Sequence, residues 1–301
     1  MVKGLVIAGP TAVGKTALSI KLAKAMDAEI ISADSAQVYK DLDIGTAKVT
    51  EEEMGGVIHH MLDVVEPVEK YSVGEYQRTV DELLGKLEGE GKSVVLTGGT
   101  GLYIGSVTNG LADLPESDHE LRAKLMERSN ESLYEELKEL DPEAAEGIHP
   151  NNKRRVERAL EVCLLTGKKF SVVSKENIKG NNYPFLKVAL ERDRGVLYER
   201  INLRVDIMME AGLLEEVERT YKKYGENLKK VNIIGYAELI RYIDGEITLE
   251  QAVEDIKQNS RRYAKRQFTW FKNQGDYLWY NLDKMTEEEI MNDVIERVKS
   301  S

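Results

Sequence analysis

The first apolar positions fall together in one short block, Lys3–Ala8, which runs straight into a glycine-rich turn. A compact apolar block of this kind predicts a strand buried on both faces of a parallel sheet. From Thr16 to Ala25 the spacing becomes helical, with Leu18, Ile20, Leu22 and Ala23 on the apolar side. Glu29–Ser32 and Ser93–Thr97 repeat the short strand signature between turn residues, and Val73–Leu87 between them reads as a helix. Strands alternating with helices imply a parallel sheet with crossover helices. The period then changes. From about Glu116 to Thr166 only helical signals occur, over Leu121–Arg128, Leu133–Leu140 and Lys153–Leu165, broken at Asp141-Pro142 and His149-Pro150. Strand character returns at Phe185–Leu190, followed by one long helix over Leu197–Tyr224. Further helices are predicted over Tyr236–Ile243, Leu249–Phe271 and Glu287–Val298, with a last strand near Tyr277–Tyr280. The pattern predicts an α/β core at residues 1–112 and 184–301, interrupted by an all-helical insertion at residues 113–183.

The turn after the first block reads Gly9-Pro10-Thr11-Ala12-Val13-Gly14-Lys15-Thr16. This is the P-loop pattern, and it stands where its mechanism needs it, between a strand and a helix. Its glycines let the backbone wrap a phosphate, the amides of Val13 to Thr16 face the anion, and the helix N-terminus adds a favourable dipole. Lys15 supplies a mobile positive charge, and the Thr16 hydroxyl is the expected ligand for Mg²⁺. The core is therefore of the P-loop NTPase kind.

Asp34 follows the second strand, at the sheet edge where open α/β folds bind ligands. It suits either a turn cap or a general base facing the bound phosphate compound. The third strand ends in Thr97-Gly98-Gly99-Thr100-Gly101, with glycines and a threonine where many P-loop enzymes place a metal-organising carboxylate. ATP hydrolysis is thereby disfavoured, and Thr100 becomes a candidate second diphosphate contact. Arg200 and Arg204 lie four apart on one helical face, fit to close over a diphosphate or to pair with Glu199 or Asp206.

Composition alters this picture in two respects. The chain of 301 residues carries a net charge of −11, which weighs against a nucleic-acid partner. Yet Lys257, Arg261, Arg262, Lys265, Arg266 and Lys272 form a run with no acid among them, interleaved with Tyr263, Phe268, Trp270 and Phe271, while Lys153, Arg154, Arg155 and Arg158 form a second cluster. Cations beside aromatics suit single-stranded nucleic acid, and equally a solvated helix with a buried aromatic side. The lone Cys163 sits in an apolar helical run and reads as a core residue, and His59 and His60 lack partners at metal-ligand spacing. No apolar stretch reaches membrane-spanning length, and we expect a cytoplasmic monomer. From the residues alone three readings remain open: a group-transfer enzyme acting on RNA, a small-molecule or nucleoside kinase, and a nucleotide-switched RNA-binding module.

Taken together, these segments resemble the bacterial tRNA dimethylallyltransferases, also called tRNA isopentenyltransferases. The likeness runs through Gly9–Thr16, Asp34–Tyr39, Asp43–Lys48, Gly98–Tyr103, Ile148–Asn151, Arg158–Glu161, Gly235-Tyr236 and Lys265–Trp270. The resemblance implies transfer of a dimethylallyl group from dimethylallyl diphosphate to the exocyclic amine of the adenosine 3′ to the tRNA anticodon. It implies that Asp34 is the general base, and that Thr100 and Arg204 hold the leaving diphosphate in the P-loop. It further implies that Asp34, Ser35, Ala36, Gln37 and Thr100 touch the acceptor nucleotide and its neighbours, and that Arg122, Arg154, Arg155, Val156, Glu157 and Arg158 contact the anticodon stem-loop. One departure is Asn232, where the family often has a basic residue ahead of Gly235-Tyr236.

Overall fold

The computed structural model describes residues 4–176, 178–180 and 183–300. Its strands, in chain order, are β1 (Gly4–Ala8), β2 (Ala28–Ser32), β3 (His59–His60), β4 (Ser93–Gly98), β5 (Leu111–Ala112), β6 (Ile178–Lys179), β7 (Phe185–Glu191) and β8 (Leu278–Asn281). Six of them form one sheet in the order β3-β2-β4-β1-β7-β8. Every neighbouring pair in it is parallel. The apolar blocks are short because each strand is only long enough to cross the core, and β1 is buried at all of its positions.

Alternation along β1 separates two cores. Leu5 and Ile7 pack with Leu18 and Leu22 of the Lys15–Met26 helix and with Ile290 and Val294 of the C-terminal Glu287–Ser300 helix. Val6 and Ala8 face the other way, towards Tyr76, Val80 and Leu84 of the Val73–Gly89 helix and Ile104 and Val107 of Gly101–Thr108. Helices thus cover both faces, as a parallel sheet requires. Ser72 and Glu75 form a capping box that starts the Val73–Gly89 helix, with Ser72 Oγ accepting from Glu75 N at 3.2 Å.

The register sets up the site. Ala8 lies opposite both Gly98 and Ala189, so β1, β4 and β7 end level with one another. Gly98 is at its position for a steric reason: a Cβ there would lie 2.1 Å from the Ala33 carbonyl oxygen. Ala33 N donates to Thr97 O (2.7 Å) and Thr100 N donates to Ala33 O (3.0 Å), so the chains leaving β2 and β4 run in backbone contact.

The long helix expected over Leu197–Tyr224 is two helices, Arg194–Glu210 and Leu213–Tyr224. They are broken at Gly212, whose φ of 97° no right-handed helix can hold. The second packs with Tyr236–Ile243 and Leu249–Lys272 around a third core that includes Leu213, Val217, Leu239 and Ile256. The pattern also missed β3, since two residues carry no periodicity; there His60 Nε2 lies 2.6 Å from the Glu29 carboxylate.

The chain divides into two compact units, Met1–Thr108 with Asn182–Ser301, and Asn109–Asn181. The second unit gathers helices His119–Met126, Asn130–Leu140, Pro142–Gly147 and Lys153–Thr166 about Leu125, Leu133, Leu137, Val156 and Leu160. Two short strands, β5 and β6, add an antiparallel ladder to these helices. Cys163 is buried. No described helix is long and apolar enough to cross a membrane.

Replacing Gly98 by alanine drives a methyl group into backbone that cannot yield. We expect Gly98→Ala to cost about 3 kcal/mol, read as a lowered urea midpoint with an unchanged slope.

Candidate active site

Four loops meet at the level edge of the sheet. The loop after β1 carries the phosphate-binding motif and turns at Gly14, whose φ of 117° orients the first amides of the following helix. A loop that turns its amides inward must turn its carbonyls outward, and here the outward carbonyls are taken by cations. Arg192 Nε donates to Val13 O at 3.0 Å and Arg200 Nε donates to Ala12 O at 2.9 Å. Arg192 is held in turn by the Asp283 carboxylate. Arg200 therefore braces the loop from behind, and neither it nor Arg204 pairs with Glu199 or Asp206; Asp206 pairs with Lys257 at 2.5 Å.

On the inner side, Lys15 Nζ donates to Gly9 O (2.9 Å) and Pro10 O (2.8 Å). Burial pushes its amine down to about 8; the Asp34 charge opposes this and the Arg204 charge adds to it. Arg204 comes from the Arg194–Glu210 helix and brings Nη1 to 3.5 Å from Thr11 Oγ1. Burial lowers its pKa while Asp34 raises it, and a guanidinium so placed remains charged.

Asp34 caps a turn with one carboxylate oxygen and leaves the other free at the site. Its Oδ1 accepts from Ala36 N at 2.9 Å, closing an Asx turn, and Oδ2 has no protein partner among the described residues. Next to it, Ser35 N donates to Thr100 Oγ1 at 3.0 Å, which ties the loop after β2 to the turn after β4. Gln37 lines the same edge with its side chain already engaged. Its Nε2 donates to Thr46 O and Ala47 O, both at 3.2 Å, and its Oε1 accepts from Ser32 Oγ at 2.9 Å. The side chain is spent on holding loop 43–48.

Two cavities open at this edge. One of about 90 Å³ is lined by Lys15, Thr16, Ser32 and Gln267, and is of a size for phosphate groups. The other, about 570 Å³, reaches Ser35, Tyr39, Met208 and Asn232 and has an apolar wall that includes Ile201 and Val205. Thr11, Asp34, Arg204 and Tyr263 line both. A carboxylate and a guanidinium thus stand at the junction between an anion-sized compartment and an organic one. The Tyr263 phenol is pushed up to about 12 by burial and by the Asp34 charge, so it stays a hydrogen-bond donor there.

The family described as IPP transferase matches residues 37–274. The chain is 56% identical over 292 residues to a tRNA dimethylallyltransferase of Fusobacterium nucleatum, covering 97% of this chain and 96% of the relative. It is 46% identical to the tRNA dimethylallyltransferase of Bacillus subtilis, covering 95% and 93% of the two chains.

The chain belongs to the IPP transferase family.

Solved structures agree. A tRNA isopentenylpyrophosphate transferase from Bacillus halodurans superposes with a TM-score of 0.73 at 41% identity, covering 100% of this chain and 98% of that one. A eukaryotic dimethylallyltransferase described as acting on tRNA gives 0.84 at 30% identity, with 98% and 80% covered. The family match begins beyond the P-loop and Asp34, which fall within the span shared with the full-length relatives.

In the second unit of this family member, the residues expected to meet RNA divide into two groups. Arg154 and Arg155 are exposed and make no ion pair among the described residues. Arg122 and Arg158 instead clasp Glu161, which is fully buried: Arg122 Nε and Nη2 reach its two oxygens at 2.9 and 3.0 Å, and Arg158 Nη1 lies at 2.5 Å. Burial pushes the Glu161 carboxyl upwards, but the hydrogen bonds from the two arginines prevail and hold it below its ordinary value. The Val156 side chain is buried in the core of this unit and presents no surface to RNA. Glu157 turns one carboxylate oxygen inward, 3.8 Å from Lys153 Nζ, and offers a phosphate nothing.

Sequence reasoning missed Arg192, Glu216, Tyr263 and Gln267 as site-shaping residues. Arg192 follows β7 as Asp34 follows β2, so the same edge rule points to it. Glu216 was hidden in an acidic run, yet Leu213, Glu216, Val217 and Thr220 share a helical face and are all buried. It accepts from the amides of Asp43 (3.1 Å), Ile44 (2.9 Å) and Gly45 (3.0 Å) and from the Tyr236 hydroxyl (2.5 Å), which fixes the loop that Gln37 also holds. Asn232 is a residue of the left-handed region, with φ 53° and ψ 45°, which asparagine tolerates better than lysine or arginine.

Because the Lys15 amine is held near 8 without ligand, diphosphate binding must take up a proton above that pH. Affinity for a diphosphate monoester is expected to be flat below about pH 8 and to fall roughly tenfold per unit above it. Lys15→Arg should abolish that slope, since arginine does not titrate there. Calorimetry from pH 7 to 9.5 decides; the same slope in both proteins would contradict this account of Lys15.

Proposed function

We propose that the chain transfers a dimethylallyl group from dimethylallyl diphosphate to the exocyclic amine of the adenosine 3′ to a tRNA anticodon. The observation that carries this reading is the junction of the two cavities, where Asp34 and Arg204 face both compartments. The diphosphate takes the smaller compartment, against the P-loop amides, Lys15 and Arg204. The allyl chain and the acceptor base take the larger one, and a base stacked in an anticodon loop has to be turned out to enter it.

The chemistry then follows from the geometry. An adenine amine is a weak nucleophile and an allylic carbon departs from its diphosphate with cationic character. The carbon–oxygen bond of the donor breaks as the nitrogen–carbon bond forms, the amine proton passes to Asp34 Oδ2, and diphosphate leaves. Lys15 and Arg204 stabilise the charge that develops on the bridging oxygen. Thr100, bonded to Ser35, fixes the loop that carries the base. The same cavity would suit a Mg²⁺ ion held by Thr16, which lines it, and no described cluster of three or more His, Cys, Asp or Glu could hold a metal alone. Mg²⁺ commonly takes one or two protein ligands and draws the rest from phosphate and water, which a single threonine hydroxyl suits. When bound it would neutralise diphosphate charge. We further assign RNA contact to Arg154 and Arg155 of the second unit and to the exposed Arg262, Lys265 and Arg266. No described carboxylate follows β4, where phosphoryl-transfer enzymes of this fold hold metal and water, so the kinase reading has no support there.

Incubating the protein with an unmodified anticodon stem-loop and either labelled dimethylallyl diphosphate or labelled ATP tests the assignment. Label should enter RNA from the prenyl donor alone; phosphate transfer from ATP would replace this reading with the kinase. Asp34→Asn should slow transfer by about 10²–10⁴, and near-normal turnover would remove it as the base. Arg204→Ala should cost about 10²–10³ in kcat; a loss confined to RNA affinity would move Arg204 to the RNA surface.

A further inference from the structure

The donor and acceptor halves of the site stand on different loops. The diphosphate side is the loop after β1, and the acceptor side is the loop after β2 stitched to the turn after β4 through Ser35 and Thr100. The β1–β4 ladder that aligns them ends at Ala8 and Gly98, one residue short of both loops. Beyond it one side chain spans the gap. Gln267, towards the C-terminal end of the Leu249–Lys272 helix, accepts from Thr11 N through Oε1 and donates to Gly99 O through Nε2, each at 2.9 Å. It is 5% exposed. Its amide therefore supplies the acceptor and the donor that a next rung of the parallel ladder would have supplied. Gly99 is shaped to it, since a Cβ there would come 2.1 Å from Nε2.

We infer that Gln267 is a positioning residue for transfer, setting the separation between the diphosphate loop and the Asp34–Thr100 side. The inference rests on the transferase reading for its kinetic consequence, while the bond it describes stands in the protein without substrate. Reacting atoms must approach to about 3–3.5 Å, and a misplacement of about 1 Å can cost on the order of 100-fold in rate. Glutamine is the side chain that fits. Glutamate keeps an acceptor for Thr11 N but faces Gly99 O with an oxygen, and methionine removes both bonds at similar volume.

The test uses the full chain, an anticodon stem-loop and labelled dimethylallyl diphosphate, at a temperature where each variant is fully folded by circular dichroism. Gln267→Met should lower kcat about 30- to 100-fold while the dissociation constants of donor and RNA stay within about threefold. Gln267→Glu should be equally slow at pH 8. Its buried carboxyl titrates upwards of the usual range, and protonation restores an O–H donor to Gly99 O. The ratio of its kcat to that of the native protein should therefore rise about tenfold from pH 8 to pH 6, with no such rise for Gln267→Met. A kcat of Gln267→Met within threefold of native, a loss lying wholly in binding, or a flat ratio for Gln267→Glu would each overturn the inference. Native protein that transfers nothing sinks the transferase reading instead. In that event hydrogen exchange still decides on the bracket: Gln267→Met should speed exchange of the Thr11 amide at least tenfold, and an unchanged rate would overturn it.

Discussion

A backbone loop that gathers its N–H groups on one side to hold an anion leaves its carbonyl groups on the other, and buried carbonyls need partners. Much of the core unit is arranged around that requirement. Lys15 takes the carbonyls of Gly9 and Pro10, Arg200 that of Ala12, and Arg192 that of Val13. These cations come from three places in the chain, so the folded loop is braced by the chain after β7 and by the helix that follows it as well as by its own lysine. The arrangement also concentrates positive charge behind and within an anion site in a protein whose net charge is −11. Attraction for a diphosphate is thus local, and the acidic remainder of the surface does not oppose it beyond a Debye length.

The same economy appears in the second unit. Glu161 is buried with two arginines and the amide of Asp118, its carboxylate saturated by Arg122, Arg158 and that N–H. A buried carboxylate is tolerated only under such conditions. The consequence is that one of the clustered arginines, Arg158, is committed inside the unit together with the distant Arg122, while Arg154 and Arg155 stay exposed. A sequence cluster of like charges is in this case two populations with different duties.

The core was legible because its signals are local. Short apolar blocks before turns gave β1, β2, β4 and β7, and a motif of eight residues located the phosphate loop without any tertiary knowledge. The positions of Asp34 and Thr100 at the sheet edge were legible because the C-terminal edge of a parallel sheet gathers whatever follows each strand, and Arg204 was singled out by its spacing from Arg200 on one helix. What escaped depends on distant partners. Glu216 reads as surface charge until Asp43–Gly45 and Tyr236 are brought to it, and Gln37 reads as available until Thr46 and Ala47 close over it. Val156 stands among arginines in the sequence, but helical geometry turns it to the opposite face. The break at Gly212 was in the sequence and was outweighed by the amphipathic residues on both sides.

The Leu249–Lys272 helix carries two rows of residues with unequal freedom to change. Its inner row, Ile256, Ala264, Gln267 and Phe271, is buried against the core and the loops. Its outer row, Arg262, Lys265, Arg266 and Trp270, is exposed and meets no acid among the described residues. Exchanges at Arg262 and Lys265 change the charge that this face presents, whereas Trp270 packs against Gly101 of the turn after β4 and Arg266 lines the larger cavity. A single rod therefore carries surface charge that is free to vary at Arg262 and Lys265 beside positions, Gln267 among them, whose shape the loops at the sheet edge require.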